Sequence, residues 1–407
     1  MGEYSERNEF DFTKKAVGSA LKKIDNFKTA TENMNFMMGF DGYVDLLYNM
    51  VKNRNSLDDV VIYNSMADFG QKIVETAGSS GSIERVLKKK LGGGFAPNMA
   101  RAIGNMAPTS TVDLYAAMGY PEILDVFKEL PENVNLHTIG NPGETLAMEF
   151  DDGKIMSQDM GGIFELTWDT LVSRMGGRDK VIEAFEKADA IGNGHWSLML
   201  TMSSFFQHFV DDILPNVKNP KDKLFFVDPA DLNKRPQKDI REMLFLLREI
   251  NEYSSVVLSV NDREAINIAE ALESEGCPEI GLKNHKSYTR AGCNINEITQ
   301  LDYFVIHDPH FATITESDAN DACHYWVTEG YTSKPQFTVA AGDHFNAAIL
   351  MSLLSDFNPS EALVMANAAT AIFVRTGISP NVKALKKFVA QYFDYILNDI
   401  WEFEFPK

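Results

Sequence analysis

The chain has 407 residues, of which 44% are hydrophobic and 24% are charged, and this composition is ordinary for a globular protein with a large core. Its formal net charge of -20 at pH 7 argues against nucleic acid or an anionic membrane as a partner, because both require a basic surface. No apolar run reaches the roughly 18 residues of a spanning helix, the polar N-terminus is unlike a signal peptide, and the three cysteines lack metal-type spacing. We therefore expect a cytoplasmic protein.

The N-terminal part of the chain predicts a surface helix and then a short strand with acidic residues at its end. The helix is expected over about Phe12–Phe27, and the apolar strand lies within Asn35–Tyr43. Asp41 and Asp45 follow this strand, where open α/β sheets bind their ligands. Either carboxylate can therefore bind substrate hydroxyls, and an Asx turn at the strand exit is the equal alternative.

A glycine triplet follows the next predicted elements, which are a β-like run at Val60–Tyr63 and helices at Met66–Thr76 and Ser82–Lys90. Three consecutive glycines, Gly92–Gly94, mark a backbone that bends tightly or admits a ligand, and a flexible loop is the alternative. Pro97 and Asn98 then open a helix, which favours a binding site.

A hairpin is predicted farther along, where Glu144–Phe150 and Lys154–Ser157 flank Asp151-Asp152-Gly153. A hairpin of this kind can shield a site from water. We expect a single domain over residues 1–407, with lid elements within 45–65 and 144–165.

The second half of the chain alternates strands with helices, which predicts a mainly parallel sheet covered by helices on both faces. His195 follows Gly194 at the end of one segment, and Asn261 and Glu264 open the helix after another. A carboxylate and an amide at a helix start suit Mg²⁺, and a helix cap is the alternative. The strands of this region are predicted at Lys223–Val227, Ser255–Val260 and Tyr303–His307.

The stretch Thr338–Leu354 is the one around which the other motifs are arranged. An extended segment (Gln336–Val339) leads into small residues and then into a helix that begins near Asp343 and is apolar almost all round, as in a protein interior. Free amides at its first turn would form an anion site, and Asp343 could take a proton from a hydroxyl that attacks phosphorus. The alternative is an ordinary acidic N-cap.

Taken in order, these motifs resemble those of the ribokinase-like (PfkB) carbohydrate kinases over roughly residues 36–380. Gly93–Ala100 resembles the start of the family's N-terminal signature, Asn261–Glu264 resembles its N-x-x-E motif, and Ala340–Phe345 resembles its G-A-G-D-x-F element. The resemblance implies a ribokinase-like α/β fold with a small β lid.

The resemblance also implies residue roles. Asp343 would be the catalytic base, and the amides of Ala341, Gly342 and Asp343 would hold the transferring phosphoryl group. On the donor side Glu264 would organise Mg²⁺, and Asn261 and Ala340 would contact the nucleotide. The acceptor would be bound by a larger set: Asp41 or Asp45, Gly93, Gly94, Asn98 and His195.

The implied activity is transfer of the γ-phosphoryl group of ATP, with Mg²⁺, to a hydroxyl of a carbohydrate or related compound. An ADP-dependent enzyme is an alternative because His307–Phe311 stands where the family has a glycine-rich nucleotide loop. A nucleoside kinase and a non-catalytic sugar or nucleotide binder are further alternatives, although binding alone does not need Asp343. A dinucleotide-binding dehydrogenase is disfavoured because Gly92–Gly94 is not expected to follow a strand.

The expected partner is a small sugar or nucleoside, with no nucleic acid and no membrane, and a homodimer is an open possibility. No basic cluster accompanies the sugar-side motifs, which favours an acceptor without a phosphate group.

Overall fold

The computed structural model describes residues 7–317 and 322–406, so the first six residues of the polar N-terminus lie outside it. The strands are β1 (Asn35–Phe40), β2 (Tyr43–Arg54), β3 (Val60–Ile62), β4 (Arg85–Gly93), β5 (Thr111–Ala117), β6 (Val134–Gly140), β7 (Gly143–Phe150), β8 (Gly153–Asp159), β9 (Ala190–Gly194), β10 (Leu224–Val227), β11 (Ser255–Asn261), β12 (Tyr303–His307), β13 (Phe311–Ser317) and β14 (Ala322–Thr328).

The helices are α1 (Arg7–Ala30), α2 (Met66–Thr76), α3 (Phe95–Met106), α4 (Gly161–Phe164), α5 (Trp168–Arg174), α6 (Arg178–Lys187), α7 (Met202–His208), α8 (Gln237–Asn251), α9 (Asp262–Ala271), α10 (His285–Thr299), α11 (Ala341–Leu353), α12 (Pro359–Thr376), α13 (Val382–Ala390) and α14 (Tyr392–Leu397). Among the described helices, none has the length and hydropathy that crossing a bilayer requires.

The large sheet has nine strands in the order β14-β13-β12-β11-β10-β9-β1-β5-β6. The pairings from β6 across to β12 are parallel, and β13 and β14 complete the sheet in antiparallel pairings. Its central strands are buried on both faces; all four residues of Leu224–Val227 are buried, for example. One apolar cluster packs α1, α3 and α11–α13 on one face, and a second packs α6–α10 on the other. The predicted α/β fold class, with a mainly parallel sheet covered on both faces, is confirmed.

A small sheet of five strands adjoins the carboxyl end of β1, since only Asp41 and Gly42 separate β1 from β2. Its order is β3-β2-β7-β8, and β4 pairs with β2 along the opposite edge from β7. The predicted hairpin is confirmed, because Phe150 pairs with Gly153 across the turn Asp151-Asp152.

Strand β4 corrects one sequence prediction, since a helix was expected over Ser82–Lys90. Its lysines favour helix in isolation, but pairing of Arg85–Gly93 along β2 outweighs that preference. Lysines are also typical of an exposed edge strand, where they oppose further pairing.

Helix α11 is buried from Asp343 to Ser352, as its apolar composition predicts. It begins at Ala341, two residues earlier than expected. The segment before it, Gln336–Val339, is a loop rather than an extended strand, and the N–H groups of Gln336 and Phe337 donate to the carbonyl of Val374. The short lead-in therefore turns sharply into the helix.

Candidate active site

Polar side chains from three adjacent strands meet above the carboxyl edge of the large sheet. Strands β1, β9 and β10 are neighbours, and Asp41, His195 and Asp228 each follow one of them. Helix α11 brings Asp343 to the same place, since His195, Asp228 and Asp343 each offer an atom within 4.8 Å of the others. The sheet edge thus gathers residues that are far apart in sequence, as expected for an open α/β fold.

The first turn of α11 offers unpaired amides beside open space. The N–H groups of Gly342 and Asp343 have no hydrogen-bond acceptor in the described part of the chain, whereas the N–H of Ala341 donates to the Thr338 carbonyl at 3.4 Å. A Cβ built on Gly342 would come within 4 Å of one described atom, Cε1 of His307 at 3.9 Å. Two of the three expected amides are therefore available to an anion.

The turn that precedes these amides is held in a left-handed conformation. Ala340 has φ 69°, and its carbonyl lies 2.7 Å from Nδ1 of His344. Burial lowers the pKa of His344 to about 4, so the ring is neutral. Its Nε2 lies 2.7 Å from the Ser379 hydroxyl. Since the Ala340 carbonyl can only accept, Nδ1 carries the proton and Nε2 accepts from Ser379.

Asp343 is 7% exposed, and its Oδ2 accepts a hydrogen bond of 2.8 Å from Nδ2 of Asn98. Burial raises the pKa of Asp343 to about 7; His195 and the Asn98 hydrogen bond oppose this rise, and Asp228 adds to it. A carboxyl group that titrates near neutrality can exchange a proton with a substrate hydroxyl. The geometry and the pKa both suit a general base.

Asp41 is committed to holding the start of α3. Its Oδ2 and Oδ1 accept from the N–H groups of Phe95 and Ala96, both at 2.9 Å. The N-cap of this helix, Gly94, has φ 107°, and a Cβ there would lie 3.0 Å from Oδ2 of Asp41. The glycine is required both by its backbone conformation and by this close approach.

Asp45 lies on the small sheet, directly across from Thr145 and beside Gly93. A Cβ on Gly93 would come 2.2 Å from Oδ2 of Asp45, so the carboxylate occupies the space that the glycine leaves. Burial raises the pKa of Asp45, and Lys154 opposes the rise. In contrast to Asp41, this carboxylate does not cap a helix.

His195 carries a positive charge among carboxylates. Burial alone would lower its pKa, but Asp41, Asp228 and Asp343 raise the pKa to about 10. Its Nδ1 lies 3.2 Å from Oδ2 of Asp41, a close ion pair without the alignment of a hydrogen bond. His195, Asp228 and Asp343 thus form a network of opposite charges at the sheet edge.

Asn261 and Glu264 form a capping box at the start of α9. Oδ1 of Asn261 accepts from the N–H of Glu264, and Oε2 of Glu264 accepts from the N–H of Asn261, both at 2.9 Å. Burial raises the pKa of Glu264 to about 8, and Asp228 contributes to the rise. The other carboxylate oxygen of Glu264 stays outside the cap. A buried carboxylate with an acidic neighbour and a spare oxygen fits Mg²⁺ in donor chemistry and charge.

The sequence did not point to the residues that hold Asp228. Nδ2 of Asn346 donates to Oδ2 of Asp228 at 2.8 Å, and Oδ1 of Asn346 accepts from the Ser259 hydroxyl at 2.7 Å. Asn346 lies three residues after Asp343, on the same side of α11, and this spacing was the available signal.

Two further expectations need correction. Gly92 and Gly93 are the last residues of β4 and Gly94 follows it, so the glycine triplet does lie at the end of a strand; this strand is antiparallel to β2 in the small sheet, however, and does not open a βαβ unit. Arg101 adds a basic group beside the sugar-side motif, since its Nη1 donates to Oδ1 of Asn98 at 2.9 Å.

The comparison with known proteins agrees with this geometry. A family model of prokaryotic ketohexokinase matches residues 11–392. The chain belongs to the prokaryotic ketohexokinase family. A ketohexokinase from Haloferax volcanii is 28% identical over 361 residues, which cover 88% of this chain and 92% of that protein.

Solved structures show the same fold. A ribokinase from Arabidopsis thaliana, complexed with ribose and ATP, is 12% identical, covers 89% of this chain and 98% of its own, and has a TM-score of 0.56. The ribokinase of Thermotoga maritima is 16% identical, covers 88% of this chain and 99% of its own, and has a TM-score of 0.53. The ribokinase-like fold and the PfkB resemblance are thus confirmed, and this member of the ketohexokinase family is a sugar kinase that phosphorylates an alcohol group.

Proposed function

We propose that this enzyme transfers the γ-phosphoryl group of ATP to a hydroxyl of a ketohexose, with Asp343 as the catalytic base. The observation that carries the proposal is the first turn of α11, where a buried carboxylate of raised pKa adjoins two unpaired amides and open space. The ketohexose is suggested by the name of the Haloferax volcanii relative and by the family.

In the proposed reaction, the oxygen of the acceptor hydroxyl attacks the γ-phosphorus, and Asp343 accepts the proton of that hydroxyl. The amides of Gly342 and Asp343, at the positive end of α11, hold the transferring phosphoryl oxygens, and Ala341 completes the turn. The γ-phosphoryl group passes directly to the acceptor oxygen as its bond to the β–γ bridging oxygen breaks, so ADP leaves and no covalent bond to the enzyme forms. The chain contributes position and charge, which are the usual means of catalysis in phosphoryl transfer.

The acceptor is proposed to lie between α3 and the small sheet. Asp45, Gly93, Gly94, Asn98 and His195 line this space, and Asp41 acts mainly by fixing the start of α3 and by pairing with His195. We propose that the small sheet is the lid of a single domain. One hydrogen bond connects the small sheet to the segment after β10 of the large sheet: Nζ of Lys234 donates to Oε1 of Gln158, on β8, at 2.8 Å.

The donor is proposed to bind across α9, the β12–β13 turn and α11. Glu264 would hold Mg²⁺, which when bound neutralises charge on the donor phosphates. Asn261 and Ala340 would contact the nucleotide. His307 stacks on Phe345 with ring centroids 4.5 Å apart, so this edge of the donor site is aromatic rather than glycine-rich.

That aromatic edge is the observation that keeps ADP as the second candidate donor. The turn after His307 is tightly closed, because the N–H of Asp308 donates to the Phe311 carbonyl at 2.9 Å. This closed, aromatic turn differs from the glycine-rich nucleotide loop of the PfkB family, so ADP stays the second candidate donor. The homodimer stays a prediction.

The proposed function is tested by a thermal-shift panel followed by a coupled assay. The panel combines fructose and other ketohexoses, aldohexoses, ribose and nucleosides with ATP or ADP, with and without Mg²⁺. We expect stabilisation by a ketohexose and by ATP with Mg²⁺, and turnover with that pair. Turnover with a nucleoside but no ketohexose, or with ADP alone as donor, would contradict the proposal.

A further inference from the structure

A chain of two hydrogen bonds runs from Arg101 through Asn98 to Asp343. Nη1 of Arg101 donates to Oδ1 of Asn98 at 2.9 Å, and Nδ2 of the same amide donates to Oδ2 of Asp343 at 2.8 Å. A guanidinium has only donors, and an ionised carboxylate has only acceptors. With Arg101 on one side and Asp343 on the other, the amide therefore has one satisfactory orientation.

The reversed amide would be penalised at both ends. Its NH₂ group would face the guanidinium of Arg101, and its oxygen would face the carboxylate of Asp343, so both hydrogen bonds would become repulsions. Without Arg101, only Asp343 would set the orientation of the amide. When Asp343 is protonated, its carboxyl group can either accept from the amide NH₂ or donate to the amide oxygen, so neither orientation is excluded.

Arg101 has few other commitments. Its Nη2 lies 3.5 Å from the Gly92 carbonyl, and none of the described carboxylates lies within 4.0 Å of its guanidinium. Burial lowers the pKa of Arg101, and the charges of Asp343 and Glu129 oppose this effect. A cation held in a poorly solvated place without an ion pair is costly. Its close contact is with the amide of Asn98.

We propose that Arg101 is a positioning residue for phosphoryl transfer: by fixing the direction of the Asn98 amide, it holds the Asp343 carboxylate in one rotamer with Oδ1 turned to the acceptor hydroxyl. Oδ1 of Asp343 accepts no hydrogen bond from the described residues, in contrast to Oδ2. The inference rests on the proposed role of Asp343 as the base.

The neighbouring carboxylate gives a useful comparison. Asp228 is also held by an asparagine, Asn346, but the residue behind that amide is the neutral Ser259, whose hydroxyl can donate or accept. Ser259 therefore orients the Asn346 amide less strictly than Arg101 orients the Asn98 amide. The more strictly oriented amide, that of Asn98, is therefore the one that contacts Asp343, the proposed base.

The charged groups that face Asp343 come from four elements. His195 follows β9, Asp228 follows β10, Asp41 follows β1, and Arg101 lies on α3. On α11 itself, the ring of His344 is neutral and turns to Ala340 and Ser379. Loss of Arg101 leaves the first three groups in place.

The test is a double-mutant cycle with Arg101→Met, Asn98→Ala and the double variant, read as kcat, KM for the sugar and the pH profile of kcat/KM. Arg101→Met should lower kcat roughly 10-fold, with KM changed less than about threefold, since it disturbs the base rather than binding. The acid limb of the profile should move to higher pH as the Asn98 hydrogen bond weakens. Because both residues act through one contact, the double variant should be no slower than Asn98→Ala within about twofold.

Arg241→Met is the matched control, since Arg241 donates to the carbonyl of Ala271, the last residue of α9, at 3.0 Å, and its loss should leave kcat unchanged. Circular dichroism verifies folding, and if Arg101→Met does not fold, Arg101→Gln, whose amide can donate or accept and therefore does not orient Asn98 strictly, replaces it in the cycle under the same criterion. Losses that multiply in the double variant, or a loss confined to KM, would overturn the inference. Asp343→Asn, measured in parallel, separates the two proposals: near-normal turnover in that variant refutes the base itself.

Discussion

Nδ2 of Asn98 donates to Oδ2 of Asp343 at 2.8 Å, although 245 residues separate them in the chain. The bond joins the first turns of α3 and α11, so the glycine triplet before α3 and the unpaired amides of α11 face one cleft. A buried base, an anion site and a sugar-side motif thus meet at one place, as phosphoryl transfer to a hydroxyl requires.

The pH dependence of the reaction should report the environment of Asp343. Since the base works only when ionised and its pKa is raised to about 7, kcat/KM should rise with pH through about 7 and fall below it. His195→Gln removes the positive charge that lowers this pKa, so the acid limb should move to higher pH. The measurement is the pH profile of both enzymes.

The exposed His137 on β6 supplies the control for this experiment, and His137→Gln should leave the limb in place. A limb that stays fixed in His195→Gln would show that the two groups do not interact as described.

Glu264→Gln should weaken the binding of Mg²⁺ and of the Mg²⁺-nucleotide while preserving the fold. Glutamine keeps the cap, because its Oε1 can still accept from the N–H of Asn261, but it no longer offers a charged oxygen to the cation. We expect the Mg²⁺ concentration at half-maximal rate to rise roughly 10-fold or more. Titration of activity with Mg²⁺ at saturating sugar measures this.

Glu361→Gln changes the equivalent glutamate of the capping box of α12 and is the control. Identical Mg²⁺ titrations for Glu264→Gln and the unaltered enzyme would exclude Glu264 from the metal site.

Gly342→Ala should slow the reaction without destabilising the protein. The added methyl group meets little of the chain, since its nearest described atom would be 3.9 Å away, so it would project into the space assigned to the phosphoryl group. A fall in kcat of roughly 100-fold is expected, comparable to loss of one donor from an oxyanion hole. Gly18→Ala, at a position in α1 with open surroundings, is the control. Normal kcat in Gly342→Ala would place the phosphoryl group elsewhere.

Ala340→Gly should stabilise the protein. The left-handed backbone at Ala340, with φ 69°, costs an alanine about 1 kcal/mol that glycine does not incur. The unfolding temperature should therefore rise by about 1–2 °C in a chain of this size, while kcat changes little because the His344 contact is made by the backbone carbonyl. Gln300→Gly, at another left-handed position with φ 54°, should give a similar gain by calorimetry. A lower unfolding temperature for Ala340→Gly would contradict this account of the turn.

Much of the large sheet could be predicted because its strands carry continuous apolar runs that end in Gly, Asp or Asn. The strand Tyr303–His307 and the helix Met66–Thr76 have the predicted bounds. The rule that parallel strands share one carboxyl edge then placed Asp41 and His195 in a common region, whereas Asp343 reaches that region on α11, which follows a loop that the rule does not cover. The interior position of α11 followed from its composition alone.

The parts that could not be predicted depend on pairing between distant segments. The lysines of β4 are compatible with a helix until β2 is placed beside them. The contacts of Asn98 and Asn346 with carboxylates likewise have no local signature, since an asparagine at these positions is equally consistent with a helix surface. The order of the motifs in the sequence predicted which residues lie near the cleft. Tertiary packing, which the sequence does not reveal, determines that the Asn98 amide contacts Asp343 and that the Asn346 amide contacts Asp228.

The central claim is tested most directly by Asp343→Asn, an isosteric change that leaves Asn98 and the α11 amides in place. Single-turnover assays with ATP, Mg²⁺ and the sugar identified by the panel should show phosphoryl transfer at least 10³-fold slower, roughly the full contribution of a general base, with sugar affinity by calorimetry within about threefold. Turnover close to that of the unaltered enzyme would show that another group takes the proton.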